Sequence, residues 1–181
     1  YVSLVDVFSK YADYLTINIS SPNTAGLREL QGRAALENLL SHLHQQRLVS
    51  QKLHEKNLPI LVKLAPDLSE AELDDAIEAI LNAKMDGIIV TNTTLSREGL
   101  RSSLKGETGG LSGSPLTVKS EAVLHQTLKH VNGAVPIVSV GGIMSPEDAK
   151  RRLDMGAALV QVYTGLIYRG PGLVKDILRH I

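Results

Sequence analysis

The fold is constrained most by a regular alternation of short apolar segments with longer amphipathic ones. Five short runs rich in β-branched and aliphatic residues have the length of strands, at residues 14–19, 60–64, 88–91, 137–140 and 158–162. Apolar residues at helical spacing occupy the segments 2–8, 34–53, 70–82, 118–131, 146–155 and 171–180. This alternation predicts a parallel α/β sheet with right-handed crossovers.

A barrel fits this pattern better than an open dinucleotide-binding sheet. No strand is followed by a Gly-x-Gly-x-x-Gly turn, whereas the last two strands end in glycine-containing turns, where (β/α)8 barrels bind phosphate. Such a barrel needs about 250 residues, and this chain has 181. We therefore predict a TIM barrel, with residues 1–181 forming the carboxyl-terminal five or so strand–helix units of one domain. Because the chain starts at Tyr1 rather than methionine, it is expected to be a fragment.

Charge and aromatic content argue against several classes of function. Acidic and basic residues are balanced at 19 each, and five Tyr, one Phe and no Trp leave little for base stacking, so no nucleic acid partner is expected. The absence of cysteine excludes disulfides and thiolate metal ligands, and no metal site is predicted. No apolar run reaches the roughly 18 residues that a membrane span needs.

Polar side chains cluster where the predicted strands end. Asn18, Ser21 and Asn23 follow the first strand, and Asn92 and Thr93 follow the third. A simple turn would explain Ser-Ser-Pro-Asn taken alone, but the repetition favours an active-site edge. Side-chain amides suit the polar edges of a planar heterocycle. Because no carboxylate or histidine lies at these strand ends, Ser21 is the remaining candidate for proton abstraction.

A second group of residues indicates an anion site. Gly141 and Gly142 permit close backbone approach, and the helix that Ser145 and Pro146 begin directs its free amides to the same place. Tyr163 and Thr164 end the neighbouring strand and could complete a phosphate cradle, although a tight turn would also explain the double glycine. Lys63, within an apolar strand, must either extend outward to solvent or face an anion in a lined cavity.

Five motifs taken together resemble those of the dihydroorotate dehydrogenase family. They occur in order along essentially the whole chain, at residues 18–24, 62–67, 91–94, 108–113 and 140–142. In this family the residue that matches Ser21 is the catalytic base. It is cysteine in the soluble classes, so the serine resembles the membrane-associated, quinone-dependent class 2 enzymes.

The resemblance implies an FMN-binding barrel that oxidises dihydroorotate to orotate in pyrimidine (UMP) synthesis, with FMN accepting hydride and a quinone as the final acceptor. Ser21 then matches the base that takes the C5 proton. The residues that match pyrimidine contacts are Asn18, Asn23, Asn92 and Thr93. The residues that match flavin contacts are Asn18, Lys63, Thr91, Ser112, Gly113, Gly141, Gly142, Tyr163 and Thr164.

Family members also carry an amino-terminal helical extension for quinone and membrane contact, together with the first barrel strands. We expect both to be missing here, and we expect the isolated chain to fold poorly and to be inactive. The resemblance implies peripheral membrane association and favours the bacterial cell membrane over the mitochondrial inner membrane. Two alternatives stay open. One is another FMN barrel, of the soluble dihydroorotate dehydrogenase or dihydrouridine synthase type, against which Ser21 counts. The other is an inactive fragment that binds a phosphate-bearing ligand.

Overall fold

A computed structural model describes residues 1–181 and contains five strands, all parallel. The strands are β1 (Leu15–Asn18), β2 (Ile60–Leu64), β3 (Gly87–Val90), β4 (Ile137–Val140) and β5 (Leu159–Gln161). Each strand pairs with its neighbour in the chain, so the order across the sheet is β1-β2-β3-β4-β5. An open doubly wound sheet reverses its strand order at a switch point. The unreversed order is that of consecutive units of a (β/α)8 barrel, which confirms the predicted fold class.

Seven helices accompany the sheet. They are α1 (Val2–Phe8), α2 (Arg33–His54), α3 (Glu70–Asn82), α4 (Thr117–Val131), α5 (Pro146–Asp154), α6 (Thr164–Arg169) and α7 (Gly172–His180). Short 3-10 segments span Leu27–Gln31 and Ser114–Leu116. Helix α6 is not predicted by the sequence pattern, and Thr164, expected at a strand end, is its first residue. This helix is only six residues long and ends at Gly170, so it carries too little periodicity to be recognised.

The predicted helix starts are correct in their capping chemistry. Ser69 accepts a hydrogen bond from the amide of Glu72, and the Glu72 carboxylate accepts one from the amide of Ser69, which completes a capping box at α3. Ser145 accepts a hydrogen bond from the amide of Asp148 at the start of α5. These caps fix the directions in which the two helices leave the loops that follow β2 and β4.

The main core lies between the sheet and helices α2, α3 and α4. Ile60, Val62 and Leu64 of β2 are fully buried against the helices, whereas the alternate residues Leu61 and Lys63 point to the opposite face and are half-buried. The alternation follows from the two-residue period of a strand. A smaller core of Ile143, Ala149, Leu173 and Ile177 holds α5 and α7 together. None of the helices is both long and apolar enough to cross a membrane.

Candidate active site

A cavity of about 500 Å³ opens at the carboxyl edge of the sheet, where Lys63 of β2 meets the loops after β3, β4 and β5. This edge is where barrel enzymes place their active sites. Ten of the predicted site residues line this cavity: Lys63, Thr91, Asn92, Thr93, Ser112, Gly113, Gly141, Gly142, Tyr163 and Thr164. The structure therefore brings together residues that lie up to 101 positions apart in the sequence.

One end of the site is a hydrogen-bonded cluster of amides and hydroxyls. Asn92 donates from Nδ2 to Asn18 Oδ1 and to Ser20 Oγ, over 3.0 Å in each case. Ser20 Oγ in turn donates to Asn18 Oδ1 over 3.1 Å. The Asn92 Oδ1 atom accepts from the amide of Thr93 over 2.8 Å. Both donor positions of Asn92 are thus used within the chain, and the ends of β1 and β3 are joined across β2.

Asn18 keeps its own donors available. Its Oδ1 is the acceptor for the cluster, and Nδ2 makes no hydrogen bond within the chain. Asn18 is exposed and lies directly opposite Lys63 in the parallel register of β1 and β2. Paired residues project from the same face of a sheet. An amide donor and an ammonium group are therefore presented side by side on the face that lines the site.

Lys63 is a partly buried cation with no acidic partner. Burial lowers the pKa of its ammonium group, and no carboxylate offsets the loss of hydration. The sequence left open whether this side chain faces solvent or a cavity, and the structure places it in the cavity wall. A desolvated cation in that position favours a ligand that carries negative charge or electron-rich oxygens.

Three predicted site residues do not line the cavity: Asn18, which ends β1, and Ser21 and Asn23, which lie on the loop that follows. Ser21 is half-buried, and its Oγ accepts a hydrogen bond from the amide of Asn23 over 3.3 Å. Asn23 Oδ1 accepts from the amide of Gly110 over 3.2 Å. The loop that carries Ser21 is therefore fastened to the long segment between β3 and α4, which an antiparallel bridge between Thr94 and Leu111 folds back over the site.

An ion-paired brace beneath this loop was not predicted. Arg28 donates from Nε to the carbonyl of Ser20 (3.1 Å), from Nη2 to that of Thr93 (2.8 Å) and from Nη1 to Asp67 Oδ2 (2.9 Å). Asp67 also accepts from Thr94 Oγ1, from the amide of Leu95 and from Lys119 Nζ. One arginine thus holds together the chain segments that carry Ser21 and Asn92.

Hydrogen bonding overcomes the effect of burial on the Asp67 carboxyl group. Burial raises its pKa, but the hydrogen bonds from Lys119, Thr94, the amide of Leu95 and Arg28 more than offset this and hold the pKa at about 2. Asp67 is therefore ionised at neutral pH. The brace contains two cations, Arg28 and Lys119, and one anion, Asp67. The region next to the Ser21 loop therefore carries a net positive charge.

The other end of the site is built for an anion. Gly141 and Gly142 have φ angles of +113° and +72°, a conformation that favours glycine. Neither the amide of Gly142 nor that of Ile143 has an acceptor within the chain. Thr164 Oγ1 donates to Ser112 Oγ over 2.9 Å, which joins the start of α6 to the loop before α4. Unpaired backbone donors at a glycine turn are the arrangement that binds phosphate.

Between the two ends lies an apolar wall that sequence reasoning did not identify. It is formed mainly by Leu116, Val140, Ile143, Met144 and Val162. These residues lie in loops or at strand ends, where their apolar character gives no signal that distinguishes a cavity wall from core. A cavity with an apolar middle and polar ends suits a flat ligand with a polar ring edge and a charged tail.

The comparisons with known proteins point to one family. The family model described as dihydroorotate dehydrogenase matches residues 1–181. A protein of Idiomarina loihiensis named dihydroorotate dehydrogenase (quinone) is 50% identical over 181 residues, which is 100% of this chain and 54% of that protein. One of the same name from Halorhodospira halophila is 49% identical over 169 residues, covering 93% of this chain and 49% of that protein.

Solved structures agree in fold as well as in sequence. The crystal structure of a dihydroorotate dehydrogenase from Eimeria tenella in complex with ferulenol superposes with a TM-score of 0.90 at 40% identity. The match covers 99% of this chain and 52% of that chain. The chain thus spans about half the length of the relatives it matches.

Proposed function

The chain belongs to the dihydroorotate dehydrogenase family, and from this premise we propose that it forms the substrate and phosphate side of an active site that oxidises dihydroorotate to orotate. FMN would be the first electron acceptor and a quinone the final one. The two relatives described above both carry the word quinone in their names, which supports the quinone-dependent type over the soluble one. Ser21 in place of cysteine supports the same choice.

One observation carries the proposal most strongly. A single cavity is lined by Asn92 and Lys63 at one end and by Gly142 and Ile143, with their unpaired amides, at the other, and Asn92 donates to Asn18 next to the cavity wall. The side-chain amides and Lys63 suit the polar edge of a flavin ring, and the glycine turn at the other end suits the phosphate of a flavin nucleotide. The same amide cluster leaves Asn18 Nδ2 free to pair with a pyrimidine or a flavin carbonyl.

The residues present fit FMN. Lys63 and Asn18 would hold the polar edge of its ring system, Thr91, Ser112 and Gly113 would contact its middle, and Gly141, Gly142, Tyr163 and Thr164 would hold its phosphate. FMN, when bound, would supply the electron acceptor for the oxidation. The apolar wall that ends at Met144 would exclude water from its surroundings and so strengthen every polar contact within the site.

The substrate would lie at the Asn18 end, where Asn18, Asn23, Asn92 and Thr93 can meet the carbonyl and amide edges of a pyrimidine. Ser21 would remove the C5 proton. A neutral serine is a weak base and must be activated by its position and by neighbouring positive charge. The net positive brace of Arg28, Lys119 and Asp67 lies next to the Ser21 loop and favours the alkoxide form of Ser21, whose hydroxyl proton would pass to solvent. The alkoxide would then take the C5 proton and return to a neutral hydroxyl.

Quinone contact and peripheral association with a bacterial cell membrane are part of the same proposal. They rest on the quinone-dependent relatives and on the resemblance of Ser21 to that class. The residues that would contact the quinone are expected outside this chain, as are further flavin contacts. The isolated chain is accordingly expected to turn over little substrate.

A chimaera tests the proposal. In it, this chain replaces the matching residues of the Idiomarina loihiensis relative, so that all carboxyl-terminal site residues come from this chain. We expect the purified chimaera to retain FMN and to form orotate and reduced quinone in equal amounts when it is given dihydroorotate and a soluble quinone. The isolated chain serves as the comparison that shows what the amino-terminal half adds.

Two results would contradict parts of the proposal. A chimaera that binds FMN but leaves dihydroorotate unchanged would retain the flavin site and eliminate the substrate assignment. Dihydroorotate oxidation that added quinone does not accelerate would eliminate the quinone as the final acceptor and return the soluble type to consideration.

A further inference from the structure

A fully buried arginine lies directly behind the glycine turn. Arg152 of α5 has no exposed surface. Its Nη2 donates to the carbonyl of Gly141 (3.1 Å), to the carbonyl of Thr117 (3.1 Å) and to Ser120 Oγ (2.8 Å). Burial of a guanidinium group is costly unless its interactions compensate for lost hydration. Because its burial is costly, Arg152 is expected to serve a function in this position.

The charge of Arg152 is only partly compensated. The carboxylate within ion-pair distance is that of Glu121, whose Oε1 lies 3.3 Å from Nε, and the Glu121 side chain is 27% exposed. The Nε atom makes no hydrogen bond despite its burial. Burial lowers the pKa of the guanidinium group, but arginine stays protonated in proteins. A fixed positive charge therefore lies just behind the anion site.

The hydrogen bonds of the turn determine where its amides point. The Gly141 carbonyl accepts from Arg152 Nη2 and, over 2.8 Å, from Ser120 Oγ. The next carbonyl, that of Gly142, accepts from Thr117 Oγ1 over 2.8 Å. In a trans peptide the N–H lies opposite the C=O. The amides of Gly142 and Ile143 are therefore directed away from α4 and α5, and both residues line the cavity.

Arg152 also strengthens these donors. A hydrogen bond to a peptide carbonyl polarises the whole peptide group, so the N–H on its other side becomes a better donor. The low dielectric around a fully buried charge increases this effect. Arg152 needs no direct contact with the ligand, since it acts through the peptide group between Gly141 and Gly142.

We propose that Arg152, assisted by Ser120, is a positioning residue for phosphate: it holds the Gly141 carbonyl so that the amide of Gly142, beside that of Ile143, faces the phosphate monoester of a flavin nucleotide. The identity of the ligand rests on the function proposed above. The orientation of the turn rests on the hydrogen bonds alone.

Comparing two flavins isolates this role. Riboflavin lacks only the phosphate of FMN, so the ratio of the two affinities measures what the phosphate contributes. We would titrate flavin-free chimaera with each flavin and follow the quenching of flavin fluorescence. Arg152→Met should lower FMN affinity by roughly ten- to hundredfold, the size expected when a hydrogen bond to a charged group is lost, and leave riboflavin affinity unchanged. Arg152→Lys should restore part of the ratio because it keeps the charge.

Two further variants keep the test decisive. Ser120→Ala removes one of the two donors to the Gly141 carbonyl and should lower the same ratio by a smaller factor, even if Arg152→Met folds poorly. Lys150→Met changes a lysine of the same helix, whose side chain is 46% exposed and pairs with Asp154 rather than with Glu121. That control should leave the ratio unchanged.

The outcomes separate this inference from the proposed function. If Arg152→Met weakens FMN and riboflavin equally, or if Ser120→Ala leaves the ratio at its original value, the positioning role is wrong. If the original chimaera prefers FMN to riboflavin and Arg152→Met removes that preference while dihydroorotate is not oxidised, the phosphate role stands and the proposed reaction fails.

Discussion

The amide of Gly110 donates a hydrogen bond to Asn23 Oδ1 over 3.2 Å, which fastens the segment after β3 to the loop that carries the proposed base. The two residues are 87 positions apart in the sequence. Gly110 also packs so closely that a Cβ atom at this position would collide with Thr93 and come within 2.8 Å of Pro22. The position of the Ser21 loop therefore depends on the absence of a side chain at residue 110.

Gly110→Ala should impair substrate binding more than flavin binding. The added methyl group would push the Asn23 loop away from Thr93, and a displacement of about 1 Å can cost as much as a hundredfold in rate. We expect kcat/KM for dihydroorotate in the chimaera to fall by about tenfold or more. Gly106→Ala is the matched control, because a Cβ at Gly106 meets no atom within 4 Å. Equal kinetics for the two variants would show that the close packing at Gly110 is unimportant.

Asp67→Asn should destabilise the protein and reduce its sensitivity to acid. The pKa of Asp67 is held at about 2 in the folded state, below its value of about 3.9 in the unfolded chain. Stability from this group is therefore present above about pH 4 and is lost as the pH falls toward 2. Allowing for solvent screening, we expect a loss of about 1–2 kcal/mol at neutral pH.

Urea unfolding of the chimaera at neutral and acidic pH measures this effect. The control is Asp75→Asn, which breaks an exposed pair with Arg33 and should change the free energy of unfolding much less than Asp67→Asn does. If Asp67→Asn were no more harmful than Asp75→Asn, the brace would contribute nothing to stability.

Lys63→Met should have opposite effects on stability and on flavin binding. Burial lowers the pKa of Lys63, so the folded state releases its proton at lower pH than the unfolded chain, and stability rises with pH through that window. Methionine removes the buried charge and should raise the urea midpoint of the flavin-free chimaera at neutral pH.

The same change should lower flavin affinity by about tenfold, the scale of one charge-assisted hydrogen bond. Wild-type affinity should also fall at alkaline pH as Lys63 loses its charge, whereas the affinity of the variant should not. Lys52→Met replaces an exposed lysine on α2 and is the control for both measurements. A variant with wild-type flavin affinity would place Lys63 outside the flavin site.

Local chemistry explains why much of the fold was predictable. The strand over Ile60–Leu64 and the cap at Ser69 are encoded by neighbouring residues, and the sequence analysis placed both correctly. Parallel strands meet at one edge, so seven of the ten residues that line the cavity could be assigned to that edge from the strand pattern. The other three, Thr91, Ser112 and Gly113, were implied only by the family resemblance. The roles of all these residues stay predictions, and three predicted site residues, Asn18, Ser21 and Asn23, do not line the cavity.

Arg28 and Arg152 were not predicted from the sequence because their hydrogen-bond partners lie far away along the chain. Arg28 meets Asp67 across 39 positions and Thr93 across 65, and Arg152 meets Ser120 across 32. In the sequence, an arginine on a helix is typical of a solvated face. Only the packing of α4 and α5 against the end of β4 makes Arg152 a buried residue.

Ser21 as the base in dihydroorotate oxidation is tested most directly by mixing the FMN-loaded chimaera with dihydroorotate in the absence of oxygen and recording its visible spectrum. We expect rapid bleaching of the flavin bands. Ser21→Ala should slow it by about a hundredfold or more at neutral pH, as expected for loss of a general base. The exposed Ser41→Ala control should bleach at the original rate. Bleaching of Ser21→Ala at the original rate, or a bound flavin that dihydroorotate cannot bleach, would contradict the account.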